Sequence, residues 1–447
     1  MHPIRACALI SIAGGLFACG GGSSLSLPPE PVPPATPAVP DPCRIVSDAA
    51  RPATVVVAVT DVVDPRGAPV PVNDADRLVF RHLYATAARR DCTGAVHPNL
   101  AIRILSDTSN VWVVELVPGS FSDGTPITAD AVIDQWRSVA AANPEGVTSM
   151  RAVRERTLEV TFAEPMDSVP ALFTDAAYAV GGARAPSGWS AASSVYEVDP
   201  ASTSTTRKLR LRPRADMRQP GIEIRVAPGA DTRDLLDQGT DLVVTRDPLA
   251  IAYARADSSF RDIPLPWDRV YTLVAGGSDT SASTRRSLAE AVRAESRIAL
   301  GEYWWMQSPM CRVIPPRPMS RSPRILYSRT DATARDLAER TVALARRYPT
   351  LAAALGASST GYIAVPVPPE VLLAALTQGS EAGYIVVLPR LAPASCVTTL
   401  PLPSTANVTP LVETRARAFL RRGTTGLLID ADGGVRLDAA GQDPSLP

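Results

Sequence analysis

Two segments of this chain repeat one pattern, and the pattern dictates parallel sheet. Residues 222–226 read as a strand, 232–238 as a short helix closed by Gly239, and 242–245 as a second strand. Residues 362–365, 369–378 with Gly379, and 384–388 repeat the order. A glycine just past a helix suits the left-handed cap, and Pro369 suits a first helical turn. A strand–helix–strand unit crosses over right-handedly and sets its two strands parallel. Two such units, each expected to build its own α/β sheet, point to two lobes, and a gap between lobes is the default place for a ligand.

The remaining periodicity fits that plan. Amphipathic helices are expected over 284–300 and 333–348, between the two units. Upstream, the β-branched run 55–59 reads as a buried strand. A helix is expected over 74–89 with Leu78, Tyr84 and Ala88 along one side. Residues 111–117 alternate as a strand, with Trp112, Val114 and Leu116 on one face and Glu115 on the other. Asp123-Gly124 then turns the chain, Thr128 caps a helix, and Asp130 lies in its first turn, where the helix dipole favours an anion. Val132, Ile133, Trp136, Val139 and Ala140 form its apolar stripe, Asn143-Pro144 ends it, and 158–162 reads as a strand.

Composition removes several function classes. The 447 residues carry 45 Lys+Arg against 45 Asp+Glu, and a chain that tracks phosphates needs a net basic face, so nucleic acid is not an expected partner. With 45% hydrophobic residues the chain can build two or three cored units. Three histidines, one of them His2 in the leader, are too few for a histidine-built zinc site; no metal and no cofactor is expected. The sequence holds no Gly-x-Ser-x-Gly elbow, Walker loop, HExxH or GxGxxG, and an enzyme is not expected.

The N-terminus reads as an export signal. Arg5 precedes an apolar run over 6–17 that is too short to span a bilayer. Leu16-Phe17-Ala18-Cys19 resembles the lipobox of bacterial lipoproteins, which implies acylation of Cys19. Gly20-Gly21-Gly22-Ser23-Ser24 and a proline-rich stretch over 28–42 read as a tether, flexible and then extended. Export places Cys43, Cys92, Cys311 and Cys396 in an oxidising compartment, where four cysteines allow three pairings. Nearest-neighbour pairing, Cys43 with Cys92 and Cys311 with Cys396, is the working expectation.

Residues 111–137, VWVVELVPGSFSDGTPITADAVIDQWR, resemble the signature of family 5 extracellular solute-binding proteins, the peptide- and nickel-binding receptors of ABC importers. The match runs from Phe121 to Val132, with Ala131 where the family has Asp. Further similar pieces follow in family order. They are His82-Leu83-Tyr84 with Gly94 and Pro98-Asn99-Leu100-Ala101; Asp237-Gln238-Gly239-Thr240-Asp241; 286–292; Ile314-Pro315-Pro316; and Thr409-Pro410-Leu411 through Gly426-Leu427. The resemblance covers about residues 53–435. The chain departs from the family where Ser194-Val195-Tyr196 replaces Gly-Pro-Tyr and Val274-Ala275-Gly276-Gly277 replaces Phe-Asn, and its second lobe is short.

The resemblance implies an α/β, two-lobed fold of the type II periplasmic-binding-protein kind, with mixed sheets and a ligand cleft. It divides the chain into a signal at 1–19, a tether at 20–42, a first lobe at 43–268, a second at 269–395 and a return to the first at 396–447. It implies a lipid-anchored, monomeric receptor that closes on a peptide-like or other small polar solute and hands it to ABC permease subunits. Ligand-contact candidates are Tyr84, Thr245, Arg246, Trp267, Trp304 and Trp305. Arg246 suits a ligand carboxylate or else a strand end near Asp247, and the Phe-Ser-Asp-Gly-Thr-Pro turn is read as structural. The alternative is a scaffold or regulatory lipoprotein of the cell envelope that keeps the fold without transport.

Overall fold

The computed structural model describes residues 41–46, 53–139, 146–166, 169–202, 207–214, 219–276, 282–300, 322–355, 361–379, 381–389 and 406–438. The expected leader, tether, Cys19, Trp304, Trp305, Cys311, Cys396 and the Asn143-Pro144 helix stop lie outside them. No described helix is long and apolar enough to cross a membrane.

Both strand–helix–strand units form. In the first, Gly221–Val226 and Leu242–Thr245 flank helix Thr232–Asp237, and both lie parallel to Thr54–Val59, which sits between them. In the second, Ile363–Val367 and Glu381–Pro389 flank helix Pro369–Gln378, and both lie parallel to Ser322–Ser328. Gly379 takes the left-handed conformation at φ 65° and closes the helix as its lack of a Cβ permits.

The expectation of two separate sheets is corrected: the units belong to one ten-stranded sheet. Two long strands, Phe260–Gly276 and Ala406–Arg421, pair antiparallel through its middle and carry it from one unit to the other. At about 3.3 Å per residue, the 17 residues of the first span roughly 56 Å. The hydrophobic pattern hides this strand because Pro264 and Pro266 interrupt it. The ladder absorbs them through register shifts between Pro264 and Trp267 and between Trp267 and Arg269.

Helix Asp74–Leu83 is shorter than the expected 74–89. Asn73 caps it by accepting from the Asp76 amide at 2.8 Å. It buries Leu78, Val79, Phe80 and Leu83 against the first half of the sheet. It ends at Tyr84 because the next backbone groups have other partners: the Ala85 amide donates to Ser193 Oγ at 2.9 Å, and Ala88–Arg90 pairs with Val96–Pro98. Helix Ala332–Arg347, capped by Asp331, buries Leu337, Ala338, Val342 and Ala345 against the second half.

A four-stranded antiparallel sheet, in the order Ala101–Thr108, Val111–Leu116, Thr157–Phe162, Val147–Arg154, carries helix Ala129–Val139. The signature turn belongs to this module. Asp123 accepts from the Thr125 amide and hydroxyl at 2.9 and 2.6 Å, and Gly124 has φ 85°. Phe121 and Trp136 are buried beneath it, with Trp136 stacked on Phe173 at 4.7 Å.

The chain ends are fastened together. Cys43 and Cys92 are joined by a disulfide, and Arg44–Ile45 pairs with Gly426–Ile429, which also pairs with Val435–Asp438. Asp430 is 3% exposed and receives Arg81, Arg89 and Arg436. His82 is buried beside this group; its Nδ1 donates to the Leu78 carbonyl at 2.8 Å, and its Nε2 accepts from the Leu437 amide at 3.1 Å. Burial, with Arg436 and Arg81 nearby, lowers its pKa to about 4, so the ring is neutral.

Candidate functional site

Strand direction locates the site. In the first unit, Leu242–Thr245 runs antiparallel to Ala406–Arg421 and therefore parallel to Phe260–Gly276, with Thr245, Arg417 and Pro264 in register. In the second, Glu381–Pro389 runs antiparallel to Phe260–Gly276, and its last residue, Pro389, faces Arg269. The carboxyl ends of the parallel strands in both units thus point at the same stretch of the long strand, residues 264–271. Open α/β sheets bind ligands beyond the carboxyl ends of their strands, where the strand order switches.

The residues that follow those strand ends are charged and meet there. Asp61 follows Thr54–Val59, Arg246 follows Leu242–Thr245, and Asp331 follows Ser322–Ser328. Asp74 arrives from the N-terminus of helix Asp74–Leu83. The long strand itself supplies Trp267, Asp268, Arg269 and Tyr271.

Arg246 makes a two-pronged pair with Asp268, Nη1 to Oδ1 at 2.9 Å and Nη2 to Oδ2 at 2.6 Å. Arg269 pairs with Asp74, and Arg246 Nε lies 3.6 Å from the same carboxylate. Tyr271 Oη donates to Asp331 at 2.9 Å while Asp331 Oδ1 accepts from the Ala334 amide at 2.9 Å.

Electrostatics separates Asp74 from Asp61. Burial pushes the Asp74 carboxyl up, but Arg269, Arg246 and Arg77 outweigh it and hold the group below its usual range. Burial likewise raises the Tyr271 hydroxyl, and Asp331 raises it further, so it stays a donor. Asp61 differs in sign. Loss of water, then Asp74 and Asp331, raise its carboxyl, and Arg269 only partly offsets them. Among the described residues no donor reaches the Asp61 carboxylate, although Asp61 is exposed.

Of the residues expected from sequence, three come together here. Thr245 is 9% exposed, and its Oγ1 accepts from the Asp247 amide at 3.1 Å. Arg246 is turned to Asp268, and both prongs of its fork are taken by that carboxylate. Trp267 is half-buried beneath the Arg415 guanidinium, 4.6 Å from its ring centre. Tyr84 is elsewhere. It is 4% exposed, packs edge-on to Phe80, and donates from its hydroxyl to the Ser190 carbonyl at 3.1 Å. A helix of ten residues, about 15 Å long, separates it from Asp74.

Asp61, Asp74, Asp268, Arg269, Tyr271 and Asp331 escaped the sequence reading. The available signal was position, since Asp61 and Asp331 each follow within three residues of a predictable parallel strand. Among the described residues no group of three or more His, Cys, Asp or Glu is arranged to hold a metal ion.

As a sequence, the chain matches no family model and no curated protein. As a structure it resembles the Escherichia coli murein tripeptide binding protein MppA, with 13% identity, a TM-score of 0.63, and coverage of 88% of this chain and 100% of that one. It also resembles NikA from Brucella suis in complex with Fe(III)-EDTA, with 14% identity, TM-score 0.63 and coverage of 82% and 95%. A periplasmic oligopeptide-binding protein from Borrelia burgdorferi matches with 11% identity, TM-score 0.64 and coverage of 86% and 100%. The fold is therefore that of the type II periplasmic binding proteins, a mixed α/β architecture whose solved examples here are binding proteins.

Proposed function

We propose that this chain is the extracytoplasmic substrate-binding receptor of an ABC importer, taking a peptide-like or other small polar solute where the two units meet. The observation that carries the reading is the convergence of both sets of strand ends, with Asp61, Asp74, Arg246, Arg269, Tyr271 and Asp331, on one stretch of the long strand pair. The structural neighbours that bind murein tripeptide and oligopeptide support the solute class. In this reading the lobes comprise 43–268 with 396–447, and 269–395, and closure is a hinge motion that ligand binding favours by bridging them. The register shifts around Trp267 are where such a hinge would bend. The receptor is a monomer, held to the membrane by lipid on Cys19.

Small-angle scattering and calorimetry with a peptide library test the proposal: a bound peptide should give micromolar or tighter affinity and a smaller radius of gyration. A library in which nothing binds or shifts the melting temperature overturns it. Mass spectrometry of the N-terminal peptide tests the anchor, with acylated Cys19 expected and an unmodified Cys19 refuting it. One observation favours the second reading, a scaffold without transport: both arginines at the junction are already bonded to the protein's own carboxylates. That reading predicts no solute binding and a stable envelope-protein partner on co-purification.

A further inference from the structure

We infer that a cavity beside the junction seats a bulky apolar side chain of the solute, of the leucine or phenylalanine kind, and that this contact carries the selectivity. The inference rests on the receptor reading above and names the substrate class of that site. The cavity measures about 540 Å³, within the range of small-molecule sites, and lies between residues 62–66 and residues 186–188. Val62, Val63, Pro65 and Pro186 give it an apolar lining. It adjoins the junction, because residues 62–66 continue the chain from strand Thr54–Val59 just past Asp61. Val62 is 54% exposed and Val72 is 77% exposed, and Asn73, next to Val72, donates from Nδ2 to the Val62 carbonyl at 2.9 Å. Valines left in water at the mouth of a cavity are a cost that the free chain carries and an apolar guest removes.

The charge around the cavity is balanced within the chain. Arg184 donates from Nη1 to the carbonyls of Pro65 and Gly188 at 2.9 and 2.6 Å, and from Nη2 to that of Ala68 at 2.9 Å. One guanidinium thereby holds a carbonyl from each wall, which fixes the two walls against each other before a solute arrives. Behind the loop, Asp76 accepts from the Asp64 amide at 3.1 Å and from the Val72 amide at 3.4 Å. The lining itself carries one charge of each sign, Asp64 and Arg66, and the Asp64 carboxylate accepts from the Arg66 amide at 3.0 Å. Asp61 stands one residue outside the lining. At the junction the Arg246 fork is filled by Asp268, and Arg269 is paired with Asp74. A solute therefore gains little by exchanging one ion pair or hydrogen bond for another, and most from apolar surface removed from water. Walls that are already fixed spare it an ordering cost.

The test uses the full chain and three probes, Ala-Leu-Ala, Ala-Phe-Ala and Ala-Asn-Ala, since asparagine has nearly the shape of leucine without its apolar surface. Calorimetry should rank the leucine and phenylalanine probes about tenfold tighter than the asparagine probe, with a more negative heat-capacity change on binding. In Val62→Ser the leucine-to-asparagine ratio should fall to about one while the asparagine probe binds as before. Leu105→Ser, an exposed position on the outer face of the four-stranded sheet, should keep the ratio. If the asparagine probe binds as tightly as the leucine probe, or Val62→Ser keeps the ratio, the inference is overturned and the receptor reading stands. If none of the three binds, the receptor reading fails and takes the inference with it. Sedimentation of the parent chain examines the other occupant: a dimer that Val62→Ser turns into a monomer shows that a second copy covers the valines, and overturns the inference. Should Val62→Ser not fold, the ranking on the parent chain and its heat-capacity change decide.

Discussion

Tyr271 donates a hydrogen bond to Asp331, 60 positions later, and so fastens the central strand to the start of the helix that covers the second half of the sheet. The same carboxylate caps that helix through the Ala334 amide. Tyr271→Phe removes the first bond and leaves the second. The expected cost is about 1–2 kcal/mol, read from urea unfolding, with no change in helical circular dichroism. A cost near zero would show that Asp331 has another donor.

The Arg246–Asp268 pair can be dissected by a double-mutant cycle. Arg246→Ala strands a carboxylate that is 4% exposed and should cost about 2–3 kcal/mol. Removing Asp268 as well should return at least about 1 kcal/mol of that. Additive single effects would mean that the two side chains do not depend on each other.

Asp430 gathers three arginines on one buried carboxylate. Asp430→Ala should destabilise the chain by about 3–5 kcal/mol, because the guanidiniums of Arg81, Arg89 and Arg436 are left facing one another. Thermal unfolding measures it; a loss under 1 kcal/mol would refute the role.

His82 makes stability depend on pH with a defined sign. Its pKa falls from 6.5 when unfolded to about 4 when folded, so between those values only the unfolded chain takes the proton. Stability is complete above pH 6.5 and drops as pH falls toward 4, by about 3 kcal/mol from this group. In His82→Gln, which can donate and accept in the same places, the difference between the unfolding free energies measured with urea at pH 7 and pH 4.5 should shrink by about 2.5 kcal/mol. An unchanged difference would assign the acid sensitivity to other groups.

The elements that were legible in the sequence are those with local causes. Gly239 and Gly379 announce their helix ends, Thr128 and Asp130 a helix start, and Asp123-Gly124 a turn, each through chemistry confined to a few residues. What stayed hidden depends on partners far along the chain. Arg246 and Asp268 are 22 positions apart, Arg269 and Asp74 are 195, and Arg81 and Asp430 are 349. No spacing rule links such residues, so Arg246 read as an open fork. Residues 85–88 could extend a helix on propensity alone; the Ser193 hydroxyl and the strand over 96–98 decide otherwise. The single sheet was obscured by Pro264 and Pro266, which end most strands but here sit at shifts in the ladder.

The clamp on Asp430 has a consequence for biogenesis. A chain synthesised from its N-terminus presents Arg81 and Arg89 well before the hairpin that answers them, and Arg44 waits likewise for Asp438. The first helix therefore remains unfinished until the last strands have been delivered, and a molecule truncated before residue 430 keeps its leading segment unsealed and open to proteases.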